Sequence, residues 1–207
     1  VIQNQDTTNG NTNITLRNFK IDGNDNGNSG TGLSGINFEY VTNSKIENVW
    51  VYDVEDYGIR SDKSSDIFIT NCTLESNYGI HLGSNYAYRH IIANNYFLSN
   101  SYGIFFAWQT DYHLVIGNVF KDNGTSLLLY SSTDYNIVIG NEFYEETSAG
   151  VTIRDSSNNI ISNNAFYNSG SGTSNGSIRI YGNTSHNLIT SNQIYHSNGY
   201  AGINIVD

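Results

Sequence analysis

Cysteine is almost missing from this chain. Cys72 stands alone among 207 residues, which excludes an internal disulfide and a cysteine-built metal site. One 23-residue period before it lies Val49, so Cys72 is expected to be a small buried side chain and not a nucleophile. Charge is scarce as well: 14% of residues are charged, with 9 cations against 19 anions and a formal net charge of −10. That balance argues against nucleic acid, which calls for a basic stripe, and against an anionic membrane surface. An anionic polysaccharide would meet the same repulsion unless calcium or a local cationic patch offset it. Long apolar runs are lacking too. The longest, around Ile104 to Trp108, is far too short to span a bilayer. No secretory leader is visible and Val1 reads like the interior of a domain, so a mature or excised fragment of a larger protein is expected.

What is present is a repeat. Hydrophobic residues reach 38%, and they recur in register. The apolar residue opening each "I-x-N" unit is Ile46, Ile69, Ile92, Val115, Val138 and Ile161, with 23 residues at every step; Leu16 precedes the series by 30 and Ile189 follows by 28. A second column runs Val51, Leu74, Phe97, Phe120, Phe143 and Phe166, with Ile21 and Ile194 at its ends. A third runs Ile36, Ile59, Ile80, Ile104, Leu127, Val151, Ile178 and Ile203. Around each column apolar and polar residues alternate, as in Gly58-Ile59-Arg60-Ser61, which is the strand pattern. Strands this short cannot form a sheet within one coil, but stacked coils pair each with its equivalent about 4.8 Å away. Helical spacing is sustained nowhere, and a propeller needs repeats nearer 40 residues. The residues therefore describe an all-β solenoid: one single-stranded right-handed parallel β-helix domain over residues 1–207, with about eight coils and three parallel sheets. Asn48, Asn71, Asn94 and Asn163, with Gly117 and Gly140 in their place on two coils, mark a corner needing the left-handed backbone. Asn95, Asn118, Asn141, Asn164 and Asn192 follow, placed to bond from rung to rung.

The stretch Ile14-Thr15-Leu16-Arg17-Asn18-Phe19-Lys20-Ile21-Asp22-Gly23-Asn24 and units such as Ile92-Ala93-Asn94-Asn95-Tyr96-Phe97 followed by Tyr102-Gly103-Ile104 resemble the pectate-lyase-like superfamily of right-handed β-helices. The resemblance covers the whole chain and specifies the coil, not the chemistry. It implies one of several functions, since that superfamily includes polysaccharide lyases, glycoside hydrolases, uronate epimerases, phage tailspikes and copper-associated NosD-type periplasmic proteins. Uronate epimerases and related lyases carry a "Y-G-F-D-P-H" type motif; Tyr57-Gly58-Ile59-Arg60-Ser61-Asp62 keeps its first two residues only. The polygalacturonase signatures are absent, so no catalytic set carries over residue by residue.

The outward neighbours of the third column form two parallel lines. One reads Asn37, Arg60, His81, Phe105, Leu128, Thr152, Arg179, Asn204; the other reads Glu39, Asp62, Gly83, Ala107, Tyr130, Arg154, Tyr181, Val206. The two longest turns, Asp22–Ser34 and Asn168–Asn175, leave from the same edge and are expected to wall this face, since solenoid insertions gather on the binding side. Glu39, Arg60, Asp62 and His81 are the candidate catalytic residues. Two carboxyls about 5 Å apart suit a retaining glycosidase; alternatively Arg60 neutralises a uronate while His81 or Tyr57 takes a proton, or Arg60 simply bridges two stacked acids. Tyr57, Trp108, Tyr130, Arg154, Arg179 and Tyr181 are the candidate substrate-binding residues, because aromatic faces and guanidinium groups suit sugars and carboxylates.

Other features point elsewhere. Asp22-Gly23-Asn24-Asp25-Asn26-Gly27 matches half of a calcium loop but has Leu33 where a bidentate Glu is needed, so an Asx-rich turn competes with calcium, the one cofactor in view. His90 and His113 should stack on adjacent rungs as corner histidines, and no metal site is assigned. Phe68, Ile91, Leu114, Ile137, Ile160 and Leu188 should form an outward apolar stripe suited to a homotrimer, a neighbouring domain or a covering segment. Sequons at Asn13, Asn71, Asn123, Asn175 and Asn183 fit an extracellular setting. The reading is a secreted or cell-surface protein that binds a polysaccharide along the third sheet and cleaves it as lyase or hydrolase. The alternative is a non-catalytic, tailspike-like glycan-binding or structural module. Nucleic acid and membrane insertion are excluded as partners.

Overall fold

The computed structural model describes residues 2–24, 32–75, 78–83, 86–170, 176–195 and 201–206. Among them are 26 strands, all in parallel ladders between successive coils. Nine form one sheet: Ile2–Gln3, Ile36–Glu39, Ile59–Asp62, Ile80–Gly83, Tyr102–Ala107, Thr125–Tyr130, Ala149–Arg154, Gly176–Tyr181 and Ala201–Val206. Its register joins Ile36, Ile59, Ile80, Ile104, Leu127, Val151, Ile178 and Ile203 in one line, with Ile2 ahead of them. The other two columns lie in the remaining 17 strands. The three expected sheets are thus three faces but two hydrogen-bonded sheets. The reason is local: Thr15–Asp22 and Val41–Tyr52 run through the corner without a break. Asn18 and Asn48, at φ of 62° and 51°, make the bend inside the strand.

All three columns fill the core. From Ile46 to Ile161, Val51 to Phe166 and Ile36 to Ile178, every member is fully buried. Phe97, Phe120, Phe143 and Phe166 stack with centroids 4.7, 4.8 and 4.6 Å apart and planes within 8°. Glycine just before the inward residue leaves room for these rings and for the next coil's backbone: a Cβ on Gly103 would sit 2.6 Å from Ser126 O and 2.8 Å from Phe120 Cδ1, and one on Gly150 2.6 Å from Phe166.

The corner asparagines take the expected conformation. Asn71, Asn94, Asn163, Gly117 and Gly140 have φ between 53° and 65°. From Asn95 onward the residue after the corner forms a buried amide ladder, in which Asn95 Nδ2 donates to Asn118 Oδ1, Asn118 to Asn141, Asn141 to Asn164 and Asn164 to Asn192, each at 3.0 Å. The backbone N–H of Asn95, Asn118, Asn141 and Asn164 donates to the same acceptor. Asn118 Nδ2 also reaches Ile92 O at 2.8 Å. Replacing Asn118 with alanine leaves buried donors and an acceptor unmet, so Asn118→Ala should lose about 1–3 kcal/mol in denaturant unfolding.

A second ladder continues the expected histidine pair and runs His90, His113, Asn136, Asn159 and Asn187. His90 N–H donates to His113 Nδ1 at 3.0 Å, and His113 N–H to Asn136 Oδ1 at 2.8 Å. Both histidines are buried, and burial holds their pKa down, to about 4 for His90. Cys72 is buried as expected, its thiol pushed up to about 11 by burial. The stripe from Phe68 to Leu188 does face outward in one register line, with Ile91, Ile137 and Leu188 exposed. Asn123 heads a sequon but is fully buried, with Nδ2 on Phe97 O, so glycosylation there would break the coil; Asn175 lies outside the described residues.

Candidate functional site

The outward lines of the nine-stranded sheet stand side by side as the period requires. Asn37, Arg60, His81, Phe105, Leu128, Thr152, Arg179 and Asn204 are successive register partners. Glu39, Asp62 and Gly83 pair in turn, as do Ala107, Tyr130, Arg154, Tyr181 and Val206. Rungs are about 4.8 Å apart, so the span from Arg60 to Arg179 is about 24 Å.

Side chains on this face form one connected belt. Tyr57 stacks on His81 at 4.3 Å, and His81 contacts Phe105 at 5.3 Å and Trp108 at 6.3 Å. Trp108 and Phe105 both reach Tyr130, at 6.3 and 6.2 Å. The Arg154 guanidinium lies 4.8 Å from the Tyr130 ring and 5.4 Å from that of Tyr181, and Arg179 lies 4.3 Å from Tyr181. All six expected substrate-binding residues therefore fall on one strip. Phe105, on the outward line but not among the candidate binders, joins them, and two further members were missed: Tyr78 and Tyr102. Tyr78 meets Tyr57 at 5.7 Å and Tyr102 at 5.9 Å. The signal was available, since Tyr57, Tyr78 and Tyr102 each open a "Y-G-I" unit and so share a column.

Ring orientation sets the Trp108 part of this belt apart from two closed aromatic ladders of the protein. Tyr144, Tyr167 and Tyr195 stack with planes within 8°, as the core phenylalanines do. Rings in that arrangement cover one another's faces. On the belt, Trp108 is turned 70° from Tyr130 and 55° from Phe105, and Trp108 is 45% exposed. Splayed rings keep faces available to a ligand.

The candidate catalytic residues meet at the near end, but not as two free carboxyls. Glu39 and Asp62 are register neighbours, yet each has its own cation: Lys63 Nζ lies 2.9 Å from Glu39 Oε1, and Arg60 Nε 2.7 Å from Asp62 Oδ2. Arg60 also lies 4.0 Å from Asp56. Asp62 and His81, expected on a solvated face, are 6% and 3% exposed: Tyr57 and Phe105 pack on the His81 ring, and Asp62 lies between Arg60 and His81. The His81 pKa is lowered to about 3, by burial first and by Arg60 second, so the imidazole is neutral at physiological pH. Its Nδ1 is 3.7 Å from Asp62 Oδ1, and neither ring nitrogen nor that oxygen has a hydrogen-bond partner. Burial pushes the Tyr57 phenol up to about 12, which removes it as a base near neutrality.

The expected calcium loop and both long turns lie largely outside the described residues. Asp22 itself accepts the Asn24 N–H at 3.0 Å, an Asx turn, and the Tyr52 hydroxyl at 2.7 Å.

A protein-family model described as "Periplasmic copper-binding protein (NosD)" matches residues 1–184 and 99–207. No curated protein matches the sequence significantly. Two solved structures of variants of the periplasmic alginate epimerase AlgG superpose with TM-scores of 0.57 and 0.51, at 17% and 16% identity. Each covers 82% of this chain, which in turn spans about half of theirs, 51% and 50%. Endopolygalacturonase I from Stereum purpureum aligns at a TM-score of 0.42 and 14% identity, over 95% of this chain and 62% of its own. The two epimerase superpositions show the fold alone.

Copper does not fit the described residues. Copper sites draw on thiolate, thioether and imidazole ligands grouped in one place. The chain has no methionine, and Cys72 Sγ points to the carbonyls of Thr70 and Ile46. No group of three or more His, Cys, Asp or Glu side chains poised for a metal occurs among the described residues.

Proposed function

The chain belongs to the NosD family of β-helices, and from that starting point we propose that it binds a polysaccharide along the outer face of its nine-stranded sheet. The observation that carries this reading is the belt from Tyr57 through Trp108 and Tyr130 to Tyr181, at whose centre Trp108 is turned 70° from Tyr130 and 55° from Phe105 and stays 45% exposed. A polymer of pyranose rings offers apolar faces to the aromatics and hydroxyls to Arg154 and Arg179. The family description and that of the epimerase both say periplasmic, which favours a place in the cell envelope or outside it. The outward apolar line from Phe68 to Leu188 would suit a trimer or neighbouring domain.

Cleavage is the second reading, and the Asp62–His81 pair favours it. A carboxylate beside Nδ1 would orient the imidazole and leave Nε2 to accept a proton, but burial that holds the pKa to about 3 makes it a weak base near neutrality. Against it, the residue that would neutralise a uronate, Arg60, already holds two carboxylates. Binding is the better supported of the two.

The test is a glycan array followed by calorimetry with the polysaccharide retained. Trp108→Ala and Tyr130→Ala should each weaken binding by about 1–3 kcal/mol, as exposed aromatic anchors do, with little change in melting temperature. Unchanged affinity in both variants would remove the belt from the binding site. Product analysis of the same incubations decides cleavage: release of oligosaccharide that His81→Ala abolishes would establish it.

A further inference from the structure

On the reading that the belt binds a polysaccharide, we propose that its Asp62–His81 end is a subsite for a neutral sugar, held through its hydroxyls, and that it rejects a uronate carboxylate. Three observations on the same few atoms carry this. The local cations are committed: Arg60 sits on Asp62 and Asp56, and Lys63 on Glu39. A uronate arriving here would find carboxylates already matched with cations and a chain with a formal charge of −10.

The second observation is the set of buried groups without partners, Asp62 Oδ1 and both nitrogens of His81. Buried polar atoms left unpaired are costly and rare. An ionised carboxylate oxygen only accepts, and a neutral imidazole offers one donor and one acceptor. Neighbouring sugar hydroxyls complement that set, because each can donate and accept. A carboxylate brings acceptors only and would set its charge against Asp62 at low dielectric.

The third observation is Gly83. A Cβ there would overlap the His81 imidazole, which lies across that rung in the space a side chain would take. Its φ is not in the left-handed range, so the backbone does not demand glycine; the ring does. Gly83 is therefore a positioning residue for His81. Tyr57, half-buried and stacked on the imidazole, is the cover that a ligand must shift.

Calorimetry with neutral oligosaccharides (cello-, xylo- and manno-oligomers) and acidic ones (galacturonate and mannuronate oligomers) tests the proposal on the wild-type chain, Asp62→Asn and Gly83→Ala. The expected result is wild-type binding to a neutral series in preference to both acidic ones. Each variant should lose about tenfold for the neutral ligand, as sites built to bond a hydroxyl do when misaligned. Tighter binding of an acidic series would overturn the subsite while leaving the polysaccharide reading intact. So would neutral binding that neither variant alters. If no oligosaccharide of either kind binds, both ideas fall. Should Asp62→Asn fail to fold, Gly83→Ala, which changes no charge and strains no backbone, together with the wild-type preference still decides the matter.

Discussion

Replacing Glu146 with glutamine should stabilise the protein at pH 7 and above while leaving it little changed at pH 4.5. Glu146 is fully buried, and its neighbours are hydroxyls: Ser126 donates to Oε1 at 2.9 Å and Ser169 donates to Oε2. Burial raises its pKa from 4.5 to about 7. A carboxyl whose pKa is raised on folding binds its proton more tightly in the native state. Its favourable contribution is complete below about pH 4.5, declines as pH rises and is gone above about pH 7. At about 1.4 kcal/mol per pKa unit, the shift amounts to about 3 kcal/mol. The three buried histidines act in the opposite sense. Their pKa values are depressed, so the stability they contribute is present above pH 6.5 and is lost as pH falls. The quantity to measure is therefore the difference between Glu146→Gln and wild type in urea unfolding across pH 4.5 to 8. It should grow by about 3 kcal/mol; a flat difference would mean that Glu146 is ionised at no cost.

Phe120→Ala should cost more, about 3–5 kcal/mol. Phe120 is fully buried between Phe97 and Phe143, and Gly103 leaves it the room a methyl group would take. A solenoid is held together by contacts between neighbouring coils, so the damage should be local. Hydrogen exchange ought to quicken on the strands Tyr96–Leu98, Val119–Lys121 and Glu142–Tyr144 before it does on distant rungs. Uniform loss of protection along the whole chain would show that the coils melt as one unit.

The coil was legible because its signal is redundant. Three columns shared one period, and the inward residues of the nine-stranded sheet pair in the order in which that period lines them up. The belt was legible for the same reason, since outward residues inherit the register of the inward ones. Burial on the outward face was not. Asp62 and His81 alternate correctly with the core, yet Tyr57 folds over the His81 ring from the preceding corner and Arg60 lies on Asp62, and no periodicity reports how a side chain leans. Glu146 was missed because it follows Glu145 in what reads as a charged turn. Only its place 23 residues after Asn123 and 23 before Ser169 puts it inside. Ion pairing was equally hidden: that Lys63 takes Glu39 and Arg60 takes Asp62 depends on rotamers, not on spacing.

The asparagine ladder gives the solenoid a polarity. Each coil's ladder backbone N–H and one amide hydrogen donate to the amide oxygen of the following coil, as Asn118 does to Asn141, while the other amide hydrogen reaches back to a carbonyl of the preceding coil, as Asn118 Nδ2 does to Ile92 O. Stripping coils from the end nearer Asn192 takes away the oxygen that receives both the last backbone N–H and the last amide, whereas stripping from the Asn95 end bares an oxygen that water readily serves and costs the first amide a single acceptor. Shortened versions cut at opposite ends should therefore differ in how readily they fray, even when the same number of coils has been removed.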